Sequence, residues 1–187
     1  MNIFKFKQVC LIAFSFVLLA ITAVKSSAEE ELTFDIVEFS LNAGYFDYAE
    51  GRDFDNSAFI GWGLGLQLTE NWRTLLNYSE LNNKDLDDGD ELYIQKYQAD
   101  VVYTFNTQGT WRPYIVGSVG DLDTRVNGEH KYRKKIGQVG LGAGLTYAIS
   151  SNWFVHSEFH GYYSNPDANI DLESKVMIAY RFGDGEG

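Results

Sequence analysis

Hydrophobic and polar residues alternate with a period of two along most of the chain. In residues 60–68, large apolar side chains occupy the even positions, and glycine or glutamine occupies the positions between them. Residues 139–149 repeat this pattern, with Gly140, Gly142 and Gly144 on the face opposite the apolar side chains. Successive side chains of an extended strand point to opposite faces, so the pattern predicts strands with two unlike faces.

Eight segments with this alternation are separated by connections of two kinds. The predicted strands are 34–48, 57–68, 72–82, 91–105, 111–122, 135–149, 152–163 and 174–182. The connections 69–71, 106–110 and 150–151 are short, whereas 49–56, 83–90, 123–134 and 164–173 are longer and polar. Short turns that alternate with long loops are typical of up-and-down antiparallel barrels of the outer membrane.

The polar face of these strands decides between a soluble and a membrane barrel. It carries Glu38, Ser40, Asn42, Arg73, Asn77, Lys96, Gln98, Asp100, His156, Glu158, His160, Lys175 and Arg181. Such a set cannot form a dry core. It can fill the lumen of a closed barrel whose apolar face meets lipid and whose closure satisfies every backbone amide. The fold predicted is an all-β, eight-stranded antiparallel up-and-down transmembrane β-barrel; the alternative, a soluble carrier barrel, would reverse the polarity of the two faces.

A polar network in the lumen and an aromatic girdle at its rims follow from this fold. The expected network comprises Glu38, Arg73, Lys96, Asp100, His156, Glu158, His160 and Arg181. The expected girdle on the short-turn side comprises Trp72, Trp111, Tyr147, Trp153 and Phe182.

The spacing of His156, Glu158 and His160 suggests a metal site only if the segment is a helix. In a strand that rises about 3.3 Å per residue, the two histidines stand roughly 13 Å apart and cannot share one zinc ion. No metal site and no cofactor are therefore expected. Glu158 is expected to pair with Arg73, Lys96 or an imidazole, because buried charges need partners.

The first 28 residues are typical of a secretory signal peptide. Lys5 and Lys7 precede an apolar run, and small residues lead to a predicted cut after Ala28. An uncleaved membrane helix is the alternative. The mature chain, 29–187, is expected to form one barrel domain with strands within about 32–182 and a short tail at 183–187. The only cysteine, Cys10, lies in the predicted signal peptide, so no disulfide is expected.

Charge narrows the range of partners. After cleavage the chain would hold 12 Lys and Arg against 26 Asp and Glu, a net charge of −14, which argues against nucleic-acid binding. The acidic segment 83–91 is interpreted as a solvated loop, with weak divalent binding as the alternative.

One segment of the acidic chain is basic. Residues 125–135 hold five Lys or Arg, namely Arg125, Lys131, Arg133, Lys134 and Lys135, and are predicted to form an outer loop that contacts lipopolysaccharide phosphates. The alternatives are a host or matrix ligand and a plain solvated loop.

The chain resembles the small eight-stranded outer-membrane barrels: the membrane domain of OmpA, the OmpX/Ail type and the opacity-like proteins. The similarity lies in WRPYIVGSVG at 111–120, GLGAGLTY at 140–147, the turn into Asn152 and Trp153, and the ending IAYRF at 178–182. It implies the outer membrane of a Gram-negative bacterium. It also implies that Tyr180 and Phe182 form the signal read by the barrel-assembly machinery, although residues 183–187 follow where such a chain commonly stops.

The resemblance also frames the expected partners and function. The partners are outer-membrane lipids, lipopolysaccharide, the assembly machinery and periplasmic chaperones, and the barrel is expected to be a monomer. The function expected is non-enzymatic, structural or surface-interacting. One alternative is a narrow channel along the glycine faces of 61–65 and 140–144. The other is a lipid A hydrolase, for which His156 and Ser157 face opposite ways and His160 would need to approach Ser164.

Overall fold

The computed structural model describes residues 37–48, 56–81, 91–127, 132–165 and 169–182. The strands are β1 (Val37–Asp47), β2 (Ser57–Gln67), β3 (Trp72–Leu81), β4 (Glu91–Thr104), β5 (Trp111–Asn127), β6 (Tyr132–Ala148), β7 (Trp153–Asn165) and β8 (Asn169–Phe182). Within these residues, no helix has the length and apolar character needed to cross a membrane.

The eight strands form one closed barrel in which each strand pairs antiparallel with its neighbours along the chain, and β8 pairs with β1. Following the paired residues once around the barrel from Val37 leads back to β1 at Asp47, a shift of ten residues. Eight strands with this shift are tilted by roughly 40°, and their lumen is just wide enough for side chains. The predicted fold is confirmed.

Two of the predicted outer loops are wrong. β5 continues to Asn127 and β6 begins at Tyr132, while β7 continues to Asn165 and β8 begins at Asn169. Most of the segments 123–134 and 164–173 is therefore strand, and Arg125, Arg133, Lys134 and Lys135 lie on strands rather than in a loop. Charged residues alone made these segments resemble loops, but the two-residue alternation persists in them.

Four sequence predictions lie outside the described residues. They concern the signal peptide at 1–28, the tail at 183–187, the acidic segment at 83–90 and Lys131. They stay predictions.

The two faces of the barrel differ as the alternation predicts. Outward residues are large and apolar, with Leu141 77% and Ile60 71% exposed. Inward residues are polar, and His156 and His160 are fully buried. The apolar outer surface therefore forms a band around a polar lumen.

Aromatic side chains crowd the rim at the short-turn end. The rings of Trp111 and Tyr147 are 4.6 Å apart, and those of Trp153 and Tyr180 are 5.0 Å apart. Trp72 contacts Tyr103, and Phe182 contacts Tyr180. Tyr180 and Phe182 thus stand on β8 at the short-turn rim, and their role in assembly stays a prediction.

The outer ends of β5 and β6 extend beyond the apolar band. A tilted strand needs about 9–11 residues to cross the hydrocarbon of a bilayer. Counted from Trp111, such a length of β5 ends near Gly120. The next residues on its outer face are Asp121, Asp123 and Arg125, so this part of the strand lies outside the band.

Glycines on the inward face of β6 let β5 and β7 touch across it. Gly144 lies between Tyr114 and Glu158 in the register, and the Tyr114 hydroxyl donates to the Glu158 carboxylate at 2.9 Å. Ser118 lies opposite Gly140 and His160 lies opposite Gly142, and the Ser118 hydroxyl is 2.9 Å from His160 Nε2 across the same strand. On β2, at the opposite side of the barrel, Gly61 separates Asn42 from Ser79, whose hydroxyl donates to the Asn42 amide oxygen at 3.3 Å.

We predict that Gly144→Ala destabilises the barrel. The new Cβ would overlap the Tyr114 ring and lie 2.5 Å from the Ser157 carbonyl oxygen. Overpacking of this kind lowers the free energy of unfolding by about 1–3 kcal/mol. Urea unfolding in micelles, followed by tryptophan fluorescence, measures the change.

The matched control is Gly117→Ala on the outward face of β5. Its Cβ would meet only Leu141 Cδ2 at 3.9 Å, so we expect little change. Equal unfolding midpoints for the two variants would show that the glycine track is not needed.

Candidate functional site

A buried carboxylate at the short-turn end of the lumen holds two guanidinium groups. Arg73 Nη1 donates to both oxygens of Glu38 at 2.8 and 2.9 Å, and Arg181 Nε donates to Oε2 at 2.8 Å. Arg181 faces Glu38 directly across the β1–β8 pair. Arg73 reaches it from β3, across the intervening strand β2. The Glu38 carboxylate therefore contacts two positively charged guanidinium groups.

His156 completes this group. Its Nε2 lies 3.7 Å from Glu38 Oε1, and its Nδ1 lies 2.7 Å from Thr146 Oγ1, the hydroxyl directly opposite on β6. The ring stacks on Phe154, over which the Arg181 guanidinium also lies at 4.1 Å. The carboxylate, the guanidinium groups and the imidazole of this end therefore interact with one another, and Arg73 Nε is the buried atom of this group without a hydrogen-bond partner.

Glu158 is the centre of a second group, halfway along the lumen. Lys175 Nζ lies 2.6 Å from its Oε1, and His160 Nδ1 lies 2.9 Å from the same oxygen. The Tyr114 hydroxyl donates to Oε2. Lys175 also lies 4.0 Å from Asp100, which accepts hydrogen bonds from the side-chain amides of Asn77 and Gln98.

A third group lies nearer the outer end. Lys96 is paired with Glu173, and its Nζ lies 3.8 Å from the centre of the Tyr162 ring. The Tyr162 hydroxyl donates to Gln98 Oε1 at 2.9 Å. The Lys96 ammonium, the Glu173 carboxylate and the Tyr162 phenol therefore interact with one another.

An apolar cluster, here called the apolar plug, lies above the third group. It consists of Phe46, Tyr48, Phe59, Leu81, Ile94, Leu122 and Ile136, packed on Tyr162. Every one of these residues is at most 6% exposed. The outer end of the lumen is therefore filled by side chains without charge.

The glycine face of β6 is covered by aromatic rings. Positions above Gly140, Gly142 and Gly144 are occupied by the rings of Tyr162, His160 and Tyr114. A Cβ on Gly142 would lie 2.6 Å from the His160 ring. The condition on which the channel alternative depended is thus not met on β6.

The predicted lumen residues all lie in the lumen, but the pairing differs from one expectation. Glu158 contacts an imidazole, as one alternative had it, and Lys175 rather than Arg73 or Lys96. Sequence reasoning missed Lys175, Glu173, Tyr114 and Tyr162 as members of the network. The alternation of β8 places 173 and 175 on the same face as Arg181, and this signal could have found the first two.

Ser118, His160 and Glu158 have the spacing of a hydrolase triad. Ser118 Oγ lies 2.9 Å from His160 Nε2, whose ring contacts Glu158 through Nδ1. Ser118 is only 3% exposed and lies in the filled lumen, and Lys175 neutralises the carboxylate. The geometry therefore supports a structural hydrogen-bond chain.

The two serines weighed at the sequence level lie elsewhere. Ser157 is exposed on the outer face, and Ser164 donates to Asp171 at 2.7 Å. Among the described residues, no group of three His, Cys, Asp or Glu could hold a metal ion.

Two arginines beyond the apolar band converge on one carboxylate, and we call them the outer arginine pair. Arg133 donates to Asp123 through Nε at 3.0 Å and Nη2 at 2.6 Å, and Arg125 donates through Nη2 at 3.0 Å. The side chains of Arg125 and Arg133 are 44% and 52% exposed, whereas that of Asp123 is 2% exposed. The carboxylate is therefore covered, and both guanidinium groups face outward.

Two other predicted basic residues, Lys134 and Lys135, lie near this pair on β6. Lys135 lies opposite Asp123 on β6, whereas Lys134 lies on the same face of β6 as the buried Ile136. Each of these lysines has an interaction partner. Only part of the predicted basic set therefore shares one outward surface.

Comparisons with known proteins assign the family. The model of the outer membrane protein beta-barrel domain matches residues 14–182. The chain belongs to this family. It is located in the outer membrane of a Gram-negative bacterium, so the apolar band faces lipid and the predicted resemblance is confirmed.

Individual relatives are distant. The chain is 25% identical over 175 residues to outer membrane porin F of Pseudomonas aeruginosa, covering 89% of this chain but only 49% of that protein. The barrel domain of Pseudomonas aeruginosa OprF matches with a TM-score of 0.63 and 21% identity, over 79% of this chain and 98% of that one. Neisserial surface protein A matches with a TM-score of 0.64 and 16% identity, over 82% of this chain and 100% of that one. The chain thus spans about half the length of its curated relative, and the structural matches show the fold.

We predict that Glu38→Gln strongly destabilises the barrel, because Arg73 and Arg181 would keep buried charges without an anion. Breaking such a pair costs about 3–5 kcal/mol in the free energy of unfolding. Urea unfolding measures the free energy of unfolding of Glu38→Gln. The control is Glu70→Gln, the same change at an exposed turn position.

A double variant tests the cause. Replacing Arg73 by Met as well as Glu38 by Gln should recover part of the loss, since one unpaired charge is removed. No difference between Glu38→Gln and Glu70→Gln would contradict the role of Glu38.

We predict a pH dependence for the outer arginine pair. Hydrogen bonds from Arg133 and then from Arg125 lower the pKa of Asp123 from 3.8 to about 2. Because the pKa is lowered in the folded state, the stabilisation is fully present above pH 3.8 and is lost as the pH falls towards 2. The difference in unfolding midpoint between wild type and Asp123→Asn should therefore be constant from pH 6 to 5 and shrink between pH 4 and 2. A difference that persists unchanged at pH 2 would refute the pairing.

Proposed function

We propose that the protein is a non-enzymatic component of the outer-membrane surface that contacts lipopolysaccharide through the outer arginine pair and Lys135. The observation that carries the proposal is the position of the pair. Two half-exposed guanidinium groups stand just beyond the apolar band, at the level where the phosphates of outer-leaflet glycolipids lie.

The chemistry of the pair suits phosphate. A guanidinium carries five N–H donors in a rigid fork, of which the contacts with Asp123 use one in Arg125 and two in Arg133. Asp123 holds both groups side by side, so less side-chain freedom is lost when an anion binds. Arginine binds phosphate in a bidentate manner, which adds geometric selectivity to charge.

The filled lumen favours a surface role over a channel. Three ion-paired groups and the apolar plug occupy the interior, and eight strands leave little other space. The name of the curated relative describes a porin, but that protein is about twice as long. The proposed function therefore belongs to the outer surface of the barrel, because the surface sites can differ among barrels of one fold.

We predict that replacing Arg125, Arg133 and Lys135 by glutamine weakens stabilisation by lipopolysaccharide. Each basic residue near an anionic surface contributes about 1 kcal/mol. The measurement is the heat-modifiable electrophoretic mobility of the refolded mature chain, with and without lipopolysaccharide, as a function of temperature. The triple variant should show a smaller rise in transition temperature.

Arg112→Gln is the control, because Arg112 lies at the opposite end of β5 and donates to the Gly109 carbonyl. It should retain the full rise. If the triple variant and the control respond equally to lipopolysaccharide, the proposed contact is wrong.

A further inference from the structure

The outer wall of β2–β5 carries an apolar groove directly below the outer arginine pair. Its volume is about 420 Å³. Leu76, Ala99 and Val119 form its floor, and Trp62, Tyr78 and Tyr97 stand along it. We call it the β2–β5 groove. It is concave, apolar and on the lipid side of the barrel.

The register explains why the wall is hollow there. Ala99 on β4 lies between Leu76 on β3 and Val119 on β5. The Ala99 methyl group is the smallest of the three side chains, so the surface at Ala99 lies lower than the surface on either side of it. Trp62, Tyr78 and Tyr97 form a continuous row of rings, with centroids 6.0 and 5.2 Å apart, and raise one side. An extended hydrocarbon chain fits such a depression, because its methylene groups would make van der Waals contacts with the floor and with the rings.

A row of hydrogen-bonding groups lies at the outer end of the groove. The Tyr78 hydroxyl donates to Glu80 at 2.5 Å, and Gln95 Nε2 donates to the Tyr78 hydroxyl at 3.0 Å. The Tyr97 hydroxyl donates to Gln95 Oε1 at 3.3 Å. These outward carboxylate, amide and phenol groups are of the kind that binds sugar hydroxyls.

The outer arginine pair follows this row. Gln95 lies opposite Asp123 in the β4–β5 register, and Asp123 is the residue that holds Arg125 and Arg133. From the middle of the bilayer outward, the same wall therefore offers an apolar groove, a hydrogen-bonding row and two guanidinium groups.

We propose that the β2–β5 groove binds one acyl chain of a phosphorylated glycolipid of the outer leaflet. The sugar would lie on Glu80 and Gln95 and a phosphate on the outer arginine pair. This inference rests on the proposed contact with lipopolysaccharide and assigns the lipid A part of that molecule to a defined place. A phospholipid of the same acyl length has no sugar for the hydrogen-bonding row, so we do not expect it to occupy the groove selectively.

The test titrates delipidated, refolded mature protein with bis-phosphorylated lipid A, and separately with a phospholipid of the same acyl length, and measures bound lipid by native mass spectrometry. Ala99→Phe fills the groove. The matched control is Ala143→Phe on β6, which fills a different groove of about 620 Å³ on the lipid-facing surface and therefore tests whether filling any groove weakens binding. Heat-modifiable mobility establishes that each variant is folded, and Ala99→Leu replaces Ala99→Phe if that variant does not fold.

We expect Ala99→Phe to weaken lipid A binding by roughly tenfold and Ala143→Phe by less than roughly twofold. Phospholipid binding should be the same in both variants. Arg125→Gln combined with Arg133→Gln should also weaken lipid A binding, whereas Arg112→Gln should not.

The remaining outcomes overturn the inference in different ways. If the arginine variant binds lipid A weakly but Ala99→Phe binds normally, the groove is not the acyl site, although the contact with lipopolysaccharide stands. If Ala99→Phe weakens phospholipid and lipid A equally, the groove takes any acyl chain and is not a glycolipid site. If neither variant weakens lipid A binding, both the groove site and the proposed function are wrong.

Discussion

The need to satisfy every backbone hydrogen bond inside hydrocarbon governs this structure. A sheet of eight strands meets that need only by closing on itself, and β8 therefore pairs with the whole of β1, from Leu172 to Phe182. Closure fixes the strand tilt and leaves a lumen about as wide as its own side chains. Polar residues on the inner face cannot be hydrated as they would be in a large pore. They must be neutralised by one another, and the three charged groups of the lumen follow from this.

The charged groups depend on glycine as much as on the charged residues themselves. Glu158 is bonded to Tyr114 across the bare backbone of Gly144, and its partner His160 packs over Gly142. Pairs of this kind add little net stability compared with a well-packed apolar interior, because burying each charge has a large cost. A wrong register would leave a charge unpaired, however, so the network favours one alignment of the strands. We regard this selection of register as its principal physical consequence.

The outer surface has more freedom than the lumen. Beyond the apolar band, β5 and β6 continue together with the beginning of β4 as a three-stranded extension, and its outward residues Asp123, Arg125 and Arg133 carry charge. Asp123 is covered there by Arg125 and Arg133, an arrangement that holds two cations in place. The lipid-facing wall below it changes from bulky to small residues at Ala99. Apolar, hydrogen-bonding and cationic groups thus succeed one another along a single wall, in the order in which a glycolipid presents complementary groups.

The sequence by itself determined the number of strands, the faces that point inward and outward, and the family, because a period of two is a local property of the chain. It also placed His156, Glu158 and His160 in the lumen. It did not determine that Glu158 pairs with Lys175, since that contact depends on how β7 and β8 are aligned. The glycine face at 140–144 suggested empty space, but aromatic rings from β5 and β7 occupy it. Residues 125–135 looked like a loop because their charges resemble those of loops. Arg125 and Asp123 lie two residues apart on one strand, but only the register of β5 against β6 brought Arg133 to them, because that contact joins residues that the chain pattern treats as independent.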